Sequence, residues 1–500
     1  MLKFLPWKGL LTAGFLISLL AVSHVLPAQT FTNPLRWIPD PFITCYKGVY
    51  YLTGTTSTSV CLAKSSTLEG LKTAQMVSVF RPGKDDPCCN YWANEIFRIQ
   101  NKWYIYYTAG TQTDWAHQNT YVLENSSEDP LTGKWLNKGK LYDPTADFWA
   151  IDGTILENNG NHYFLWSGHK SPTDNNQQIY ISAMANPWTL TGHRAMLSEP
   201  QYEWEKIGDP KVNEGPEILQ HKGKTFLIYS ASGCWTPDYS LGMLTLDPKK
   251  NPMEPASWIK SAMPVFKRND AVAAYGPGHN CFFQSPDGKE TWNIYHATSN
   301  SAGGCDDFRN ARAQKVNWNA DGTPDFGTPV KLGEVMKAPS GEKKGASTLA
   351  TVATTPPLPN GVYRITAKHS GKVIQATECA GKPGSILVQG TWNGQDCQKW
   401  NLEANEDGFY GFNSIQDKLV YDVTGCSVDD GVNILLWHSV KGPWQQWKIE
   451  PAGDGYFKMT GRKSVKALEV GQCSLEEKAH IQQDAWSGED CQLWKIERVD

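Results

Sequence analysis

The chain has no charge excess of either sign: Lys and Arg total 47, Asp and Glu 51, for a formal net charge of −4 and a pI near 6.3. That balance gives no electrostatic footprint for a polyanion, so nucleic acid is not an expected partner, and a neutral substrate suits it better. After residue 28 there is no apolar run long enough to cross a bilayer. The twelve cysteines lack metal-ligand spacing, which argues against a structural zinc site and leaves disulfides as their use.

What is present is aromatic and turn-rich: 21 Trp, 20 Tyr and 17 Phe accompany 44 Gly and 30 Pro. Five hundred residues exceed one ordinary core, so two domains are expected. Residues 1–28 carry Lys3 and Lys8 ahead of the apolar stretch Gly9–Val22 and end in Leu26-Pro27-Ala28, the form of a secretory signal peptide. The mature protein is then expected to be secreted, extracellular or periplasmic, with no membrane partner after signal removal. Twelve cysteines suit such a compartment.

One unit recurs five times. A short apolar strand, a turn of Gly, Asn, Asp or Lys, and an aromatic strand follow Asp40, Trp92, Asp152, Glu214 and His279, at intervals of 52, 60, 62 and 65 residues. A repeat of that size built from short strands predicts a radial β architecture, read as a five-bladed β-propeller. The residue heading each copy would face a common axis, so Asp40, Asp152 and Glu214 are expected to converge.

Near Lys337–Asn360 the composition turns to Lys, Gly, Ser, Thr and Ala and ends in Thr354-Thr-Pro-Pro-Leu-Pro359, a linker composition. Beyond it Gln398-Lys-Trp400, Gln445-Gln-Trp447 and Gln492-Leu-Trp494 are 47 residues apart. Three such units resemble the ricin B-type β-trefoil, the carbohydrate-binding module family 13 type. The expected domains are therefore a propeller over 29–336, a linker over 337–359 and a trefoil over 360–500: an all-β protein. Cys379/Cys397 and Cys473/Cys491, each 18 apart in equivalent places, predict two local disulfides, with Cys426 outside them because its counterpart position holds Trp444. The Gln-x-Trp residues read as repeat packing. By the resemblance the sugar contacts fall on Gln375, Asp422 and Glu469, with Trp392, Trp437 and Trp486 as aromatic faces and Asp422 the best match.

The first domain resembles glycoside hydrolase family 43 in Trp37-Ile-Pro-Asp40-Pro-Phe-Ile43, Trp92-Ala-Asn-Glu95-Ile96, Trp149-Ala-Ile-Asp152-Gly-Thr154 and Asn213-Glu214-Gly-Pro216, found in that order. The resemblance implies inverting hydrolysis with Asp40 as general base, Glu214 as general acid and Asp152 as the group that raises and orients the acid. Such chemistry needs one carboxylate to activate water and one carboxylic acid to protonate the leaving oxygen. Glu95 and Glu217 are read as supporting. Trp92, His279 and Arg309 are candidate substrate-binding residues, with Arg312 as a competitor for Arg309. No cofactor is required and no metal ligand is assigned; the resemblance allows a structural calcium near His279.

The stretches Tyr229–Tyr239, Tyr275–Asn280, Trp292–Ala297 and Ala311–Gln314 look like the α-L-arabinofuranosidase branch. They imply release of terminal α-L-arabinofuranose from a plant-type arabinan or arabinoxylan. A β-xylosidase of the same family is the alternative within enzymes, and a non-catalytic lectin-like protein the alternative outside them. Asn94 departs from the family, where Pro is frequent. Oligomeric state is not fixed by the sequence.

Overall fold

The computed structural model describes residues 29–306, 308–342, 357–379, 381–405 and 408–499. The expected signal segment 1–28 lies outside them, as do residues 343–356 of the expected linker.

Five antiparallel sheets carry the N-terminal part. Their innermost strands are Phe42–Tyr46, Cys89–Ile99, Ala150–Asn158, Asn213–His221 and Tyr275–Gln284. Each pairs outward with its own hairpin partner: Val49–Thr53, Lys102–Gly110, Asn161–Gly168, Lys224–Ala231 and Thr291–Thr298. The chain closes the ring by laying Leu35 and Arg36 against Ala311 of the last sheet, with two backbone bonds of 2.8 Å. The apolar side chains are buried between neighbouring sheets rather than at the axis. Leu156, Leu165 and Ile181 of the third sheet share a cluster with Leu227, Tyr229 and Leu244 of the fourth. Leu219, Phe226 and Leu241 of the fourth meet Tyr295 and Ala297 of the fifth. The axis is thereby left to polar groups, and this is the five-bladed propeller.

The propeller extends past residue 336. Val335–Lys337 pairs with Thr30–Thr32, Ala338 is buried, and Glu342 accepts a hydrogen bond from Leu68 N–H at 3.0 Å. Pairing with the N-terminal strand outweighs the linker-like composition there. At the other end, Leu358 already bonds Tyr410 through both backbone groups, at 2.9 and 2.7 Å.

The C-terminal part is a twelve-stranded β-trefoil whose three Gln-x-Trp indoles, Trp400, Trp447 and Trp494, are fully buried at its centre. They set the packing, as expected. Disulfides join Cys379–Cys397 and Cys473–Cys491, and two more that spacing did not reveal join Cys88–Cys89 and Cys234–Cys305.

Candidate active site

A bulge builds the site. In four blades the register of the innermost strand shifts between Trp92 and Glu95, Ile151 and Thr154, Glu214 and Glu217, and Gly278 and Cys281. One bulge residue in each has a left-handed backbone: Ala93 (φ 46°), Asp152 (φ 57°), Gly215 (φ 51°) and His279 (φ 44°), with Asp40 (φ 51°) in the first blade. Such backbone is costly for residues with a side chain and is characteristic of bulges near active sites. These five are the true equivalents. Glu214 and Trp92, expected to share a place with Asp40 and Asp152, stand one residue earlier; the intervals in sequence were too uneven to show the offset.

Asp40 is 8% exposed and saturated with donors. Arg309 Nη1 reaches its Oδ1 at 2.7 Å, Thr55 Oγ1 donates to Oδ2 at 2.5 Å, and His279 Nδ1 lies 3.4 Å from Oδ1. Burial opposes its ionisation, but the Arg309 guanidinium, aided by His279, outweighs burial and holds the carboxyl well below the usual range. His296 accepts the Asp40 N–H at Nδ1, 3.2 Å, so that nitrogen carries no proton. Burial keeps this imidazole neutral, with its pKa pushed down to about 3, and its 3.2 Å approach to Oδ1 is therefore no ion pair. Tyr239 stacks on the same ring, with centroids 5.6 Å apart.

Glu214 is in the opposite state. Burial first, and the Asp40 charge next, raise its pKa to about 7 against the Tyr239 hydroxyl, which donates to Oε1 at 2.7 Å. Asp152 Oδ2 accepts the N–H of Gly215 at 3.0 Å, which ties it to the backbone beside Glu214. Burial and then the Glu214 and Asp40 charges push Asp152 up as well. Burial, not Asp152, thus leads in raising Glu214, while Asp152 fixes its backbone. The Arg309 charge acts on all three carboxyls, so the trio and Arg309 do meet around one axis.

Arg309 is itself held by carbonyls, Nε to Asp306 at 3.0 Å and Nη2 to Cys305 at 3.3 Å, in a turn pinned by the Cys234–Cys305 disulfide. Arg312 is fully buried elsewhere, on Asn310 and Val330. His279 lies against Gly215, where an added Cβ would sit 3.3 Å from its ring. Around His279 the donors are two imidazoles and one carboxylate already paired with Arg309, which does not fit the roughly six to eight oxygens that calcium takes. Elsewhere among the described residues, the Cys473, Glu489 and Cys491 cluster contains a disulfide, so its sulfurs are not free thiolates.

Trp92 is half-buried and meets Trp115, 74% exposed, edge to face at 6.1 Å. Trp115 in turn accepts the Trp149 indole N–H on its carbonyl at 2.9 Å. Asn94 is fully buried and donates to Gly54 O at 2.7 Å, bracing the neighbour of Thr55. Glu95 and Glu217 lie below the trio, two residues past the bulge; burial first raises both well above the ordinary range, and neither touches Asp40 or Glu214. Sequence reasoning missed Thr55, Tyr239 and His296, which sit on outer strands or loops and head no repeat. His296 alone carried a signal, as a polar residue ending the largely apolar run Trp292-Asn-Ile-Tyr-His296.

In the trefoil Gln375, Asp422 and Glu469 occupy equivalent places, each bonded by the Gln of its own Gln-x-Trp at 2.8, 2.7 and 2.7 Å. Trp437 and Trp486 are 44% and 41% exposed, while Trp392 is half-buried beside the Arg364 guanidinium. These six residues fall two to a repeat.

Residues 31–324 match the model of glycosyl hydrolases family 43, and residues 351–437 and 443–500 that of the ricin-type β-trefoil lectin domain-like family. The chain is 41% identical over 323 residues to an extracellular exo-α-(1→5)-L-arabinofuranosidase of Streptomyces avermitilis, covering 63% of this chain and 66% of that protein. It is likewise 41% identical over 296 residues to the protein of the same description from Streptomyces chartreusis, covering 58% and 89%. Among solved structures it is similar to an α-L-arabinofuranosidase from Lactobacillus brevis, with 34% identity, a TM-score of 0.57, and coverage of 61% of this chain and 98% of that one.

Proposed function

The chain belongs to glycosyl hydrolases family 43, and from that premise we propose that it is a secreted, inverting exo-α-L-arabinofuranosidase acting on terminal arabinofuranose of plant-type arabinan or arabinoxylan. The observation that carries the reading is the opposite protonation of two carboxyls around one guanidinium: Asp40 ionised, Glu214 protonated up to about pH 7. Asp40 then takes the proton of the attacking water, and Glu214 gives its proton to the leaving oxygen. Asp152, through Gly215 N–H, keeps the acid in line. The names of the two Streptomyces relatives support arabinofuranose as the sugar and an extracellular setting. Among the described residues no helix is long and apolar enough to cross a membrane. Residues 1–28 are assigned to export, and the trefoil to holding the enzyme on polysaccharide.

The test is incubation with an aryl α-L-arabinofuranoside, an aryl β-xyloside and linear arabinan, with the released sugar and its first anomer identified by NMR. Arabinose of inverted configuration supports the reading; xylose, or binding without release, sinks it. The pH profile has a worked sign. Glu214 must be protonated, so activity on poor leaving groups falls as pH rises through about 7, and Asp40 must be ionised, so the acid limb lies far lower. In Glu214→Gln the alkaline limb disappears and the loss is greatest for poor leaving groups, about 10²- to 10⁴-fold.

A further inference from the structure

The middle trefoil repeat breaks the pattern of its neighbours. Where the others hold Cys397 and Cys491, it holds Trp444, whose ring meets propeller residue Phe308 at 5.3 Å, edge to face. The next residue, Gln445, donates to the Asp422 carboxyl at 2.7 Å, which ties this docking segment to the frame of its repeat. Two further grips cross between the domains. Asp429, 7% exposed, accepts Thr58 Oγ1 at 2.9 Å and Ser59 Oγ at 2.8 Å, with Arg81 at 3.4 Å. Arg36, also buried, donates to Lys463 O and Ser464 O at 3.2 and 3.4 Å, and the Arg462 guanidinium lies 4.9 Å over Trp37.

Three of the four gripped segments, all but Arg81, share one property. Each lies within four residues of a group in the Asp40 cluster: Arg36 and Trp37 lead into Asp40, Thr58 and Ser59 follow Thr55, and Phe308 precedes Arg309. Thr55 and Arg309 are the donors to the two carboxylate oxygens of Asp40. Asp152 and Glu214 sit on the third and fourth blades. A domain that only tethered the enzyme could dock anywhere on the propeller; this one seizes the three stretches that build one half of the site.

We propose that the trefoil buttresses the Asp40 cluster, with Trp444 and Asp429 as positioning residues for the carboxylate that activates water. This rests on the reading of Asp40 as general base. The mechanism is mechanical: buried polar and aromatic contacts fix the backbone on either side of Asp40 and Arg309, and a displacement of about 1 Å at a base can cost on the order of 10²-fold in rate.

The experiment uses the full chain and the variants Trp444→Ala, Trp444→Phe, Asp429→Ala and, from the propeller side, Phe308→Ala. The probe is an aryl α-L-arabinofuranoside, too small to span both domains. Expected are a kcat lower by about 10-fold for Trp444→Ala and Asp429→Ala, a KM changed by less than about 2-fold, and recovery of most of the rate in Trp444→Phe. Amide hydrogen exchange should rise in 34–41, 55–60 and 305–310 and stay level in 150–158 and 213–221. Unchanged kcat with unchanged exchange overturns the proposal, as does a rise spread over the whole propeller. If Trp444→Ala does not fold, Asp429→Ala and Phe308→Ala decide. If the wild type releases no arabinose, the functional reading fails on its own, and the exchange pattern still decides this one.

Discussion

The propeller and the trefoil each repeat one unit, yet they spend the repetition differently. In the propeller the equivalent left-handed positions hold Asp40, Ala93, Asp152, Gly215 and His279, four residue types at five positions around one axis. In the trefoil the equivalent positions hold Gln375, Asp422 and Glu469, and each makes the same bond to the Gln of its own repeat. Copies that converge on a shared space must diverge, because a site needs unlike groups side by side: an ionised Asp40 and a protonated Glu214. Copies that each pack within their own repeat keep the same bond. The exception is Trp444, at one of the places where the trefoil meets the propeller.

The largest effect should come from erasing divergence at the axis. Asp40→Asn keeps the shape but leaves Arg309 without its anion and the water without its base; kcat is expected to fall by about 10³-fold or more, with little change in KM. Steady-state kinetics on the aryl arabinofuranoside reads this directly. A loss below about 10-fold would mean that the base is another group.

A smaller effect should follow from filling the glycine copy. Gly215 has φ +51°, and an added Cβ would sit 3.3 Å from the His279 ring. Gly215→Ala therefore strains the backbone that anchors Asp152 and carries Glu214, by about 1–3 kcal/mol, and kcat should drop about 10-fold. Ala93 already tolerates a Cβ at the same backbone place (φ 46°). Ala93→Gly should leave kcat within about 2-fold, since it removes no contact to the trio. Equal losses in the two variants would show that the bulge, and not its contact with His279, matters.

Much of this was legible from residue patterns. Two periods, near 60 and at 47 residues, specify two radial folds because a repeated apolar strand can bury itself only against its copies. Asp40, Asp152 and Glu214 were legible because each stands beside a Gly or Pro that such a turn favours, and Arg309 only through the family resemblance. The one-residue offset of Glu214 was not, because a bulge adds a residue without leaving a mark in composition. Thr55, Tyr239 and His296 were hidden because their roles depend on which blades become neighbours. The disulfide between Cys234 and Cys305 was hidden for the same reason, its partners lying 71 residues apart in different blades.

The smallest effect tests the trefoil side of the contrast, where the repeats should act singly and unequally. Trp437 is the most exposed of the three aromatic faces and stands with the Asp422 carboxyl in its repeat. Trp486 is close behind but has Lys458 Nζ 4.9 Å over its ring, and Trp392 is flanked by Arg364 in a repeat whose Gln375 carries no charge. Retention on immobilised arabinan should therefore weaken in the order Trp437→Ala, Trp486→Ala, Trp392→Ala. The first change should be several-fold, as expected for an aromatic contact of about 0.5–1.5 kcal/mol. Burial raises Asp422 to about 6, so a sugar contact through its carboxylate is expected above that pH and should be lost as pH falls through it. The difference between wild type and Trp437→Ala should shrink accordingly between about pH 7 and pH 5. A retention that is equal in all three variants, or independent of pH, would mean that the copies do not act as separate sites.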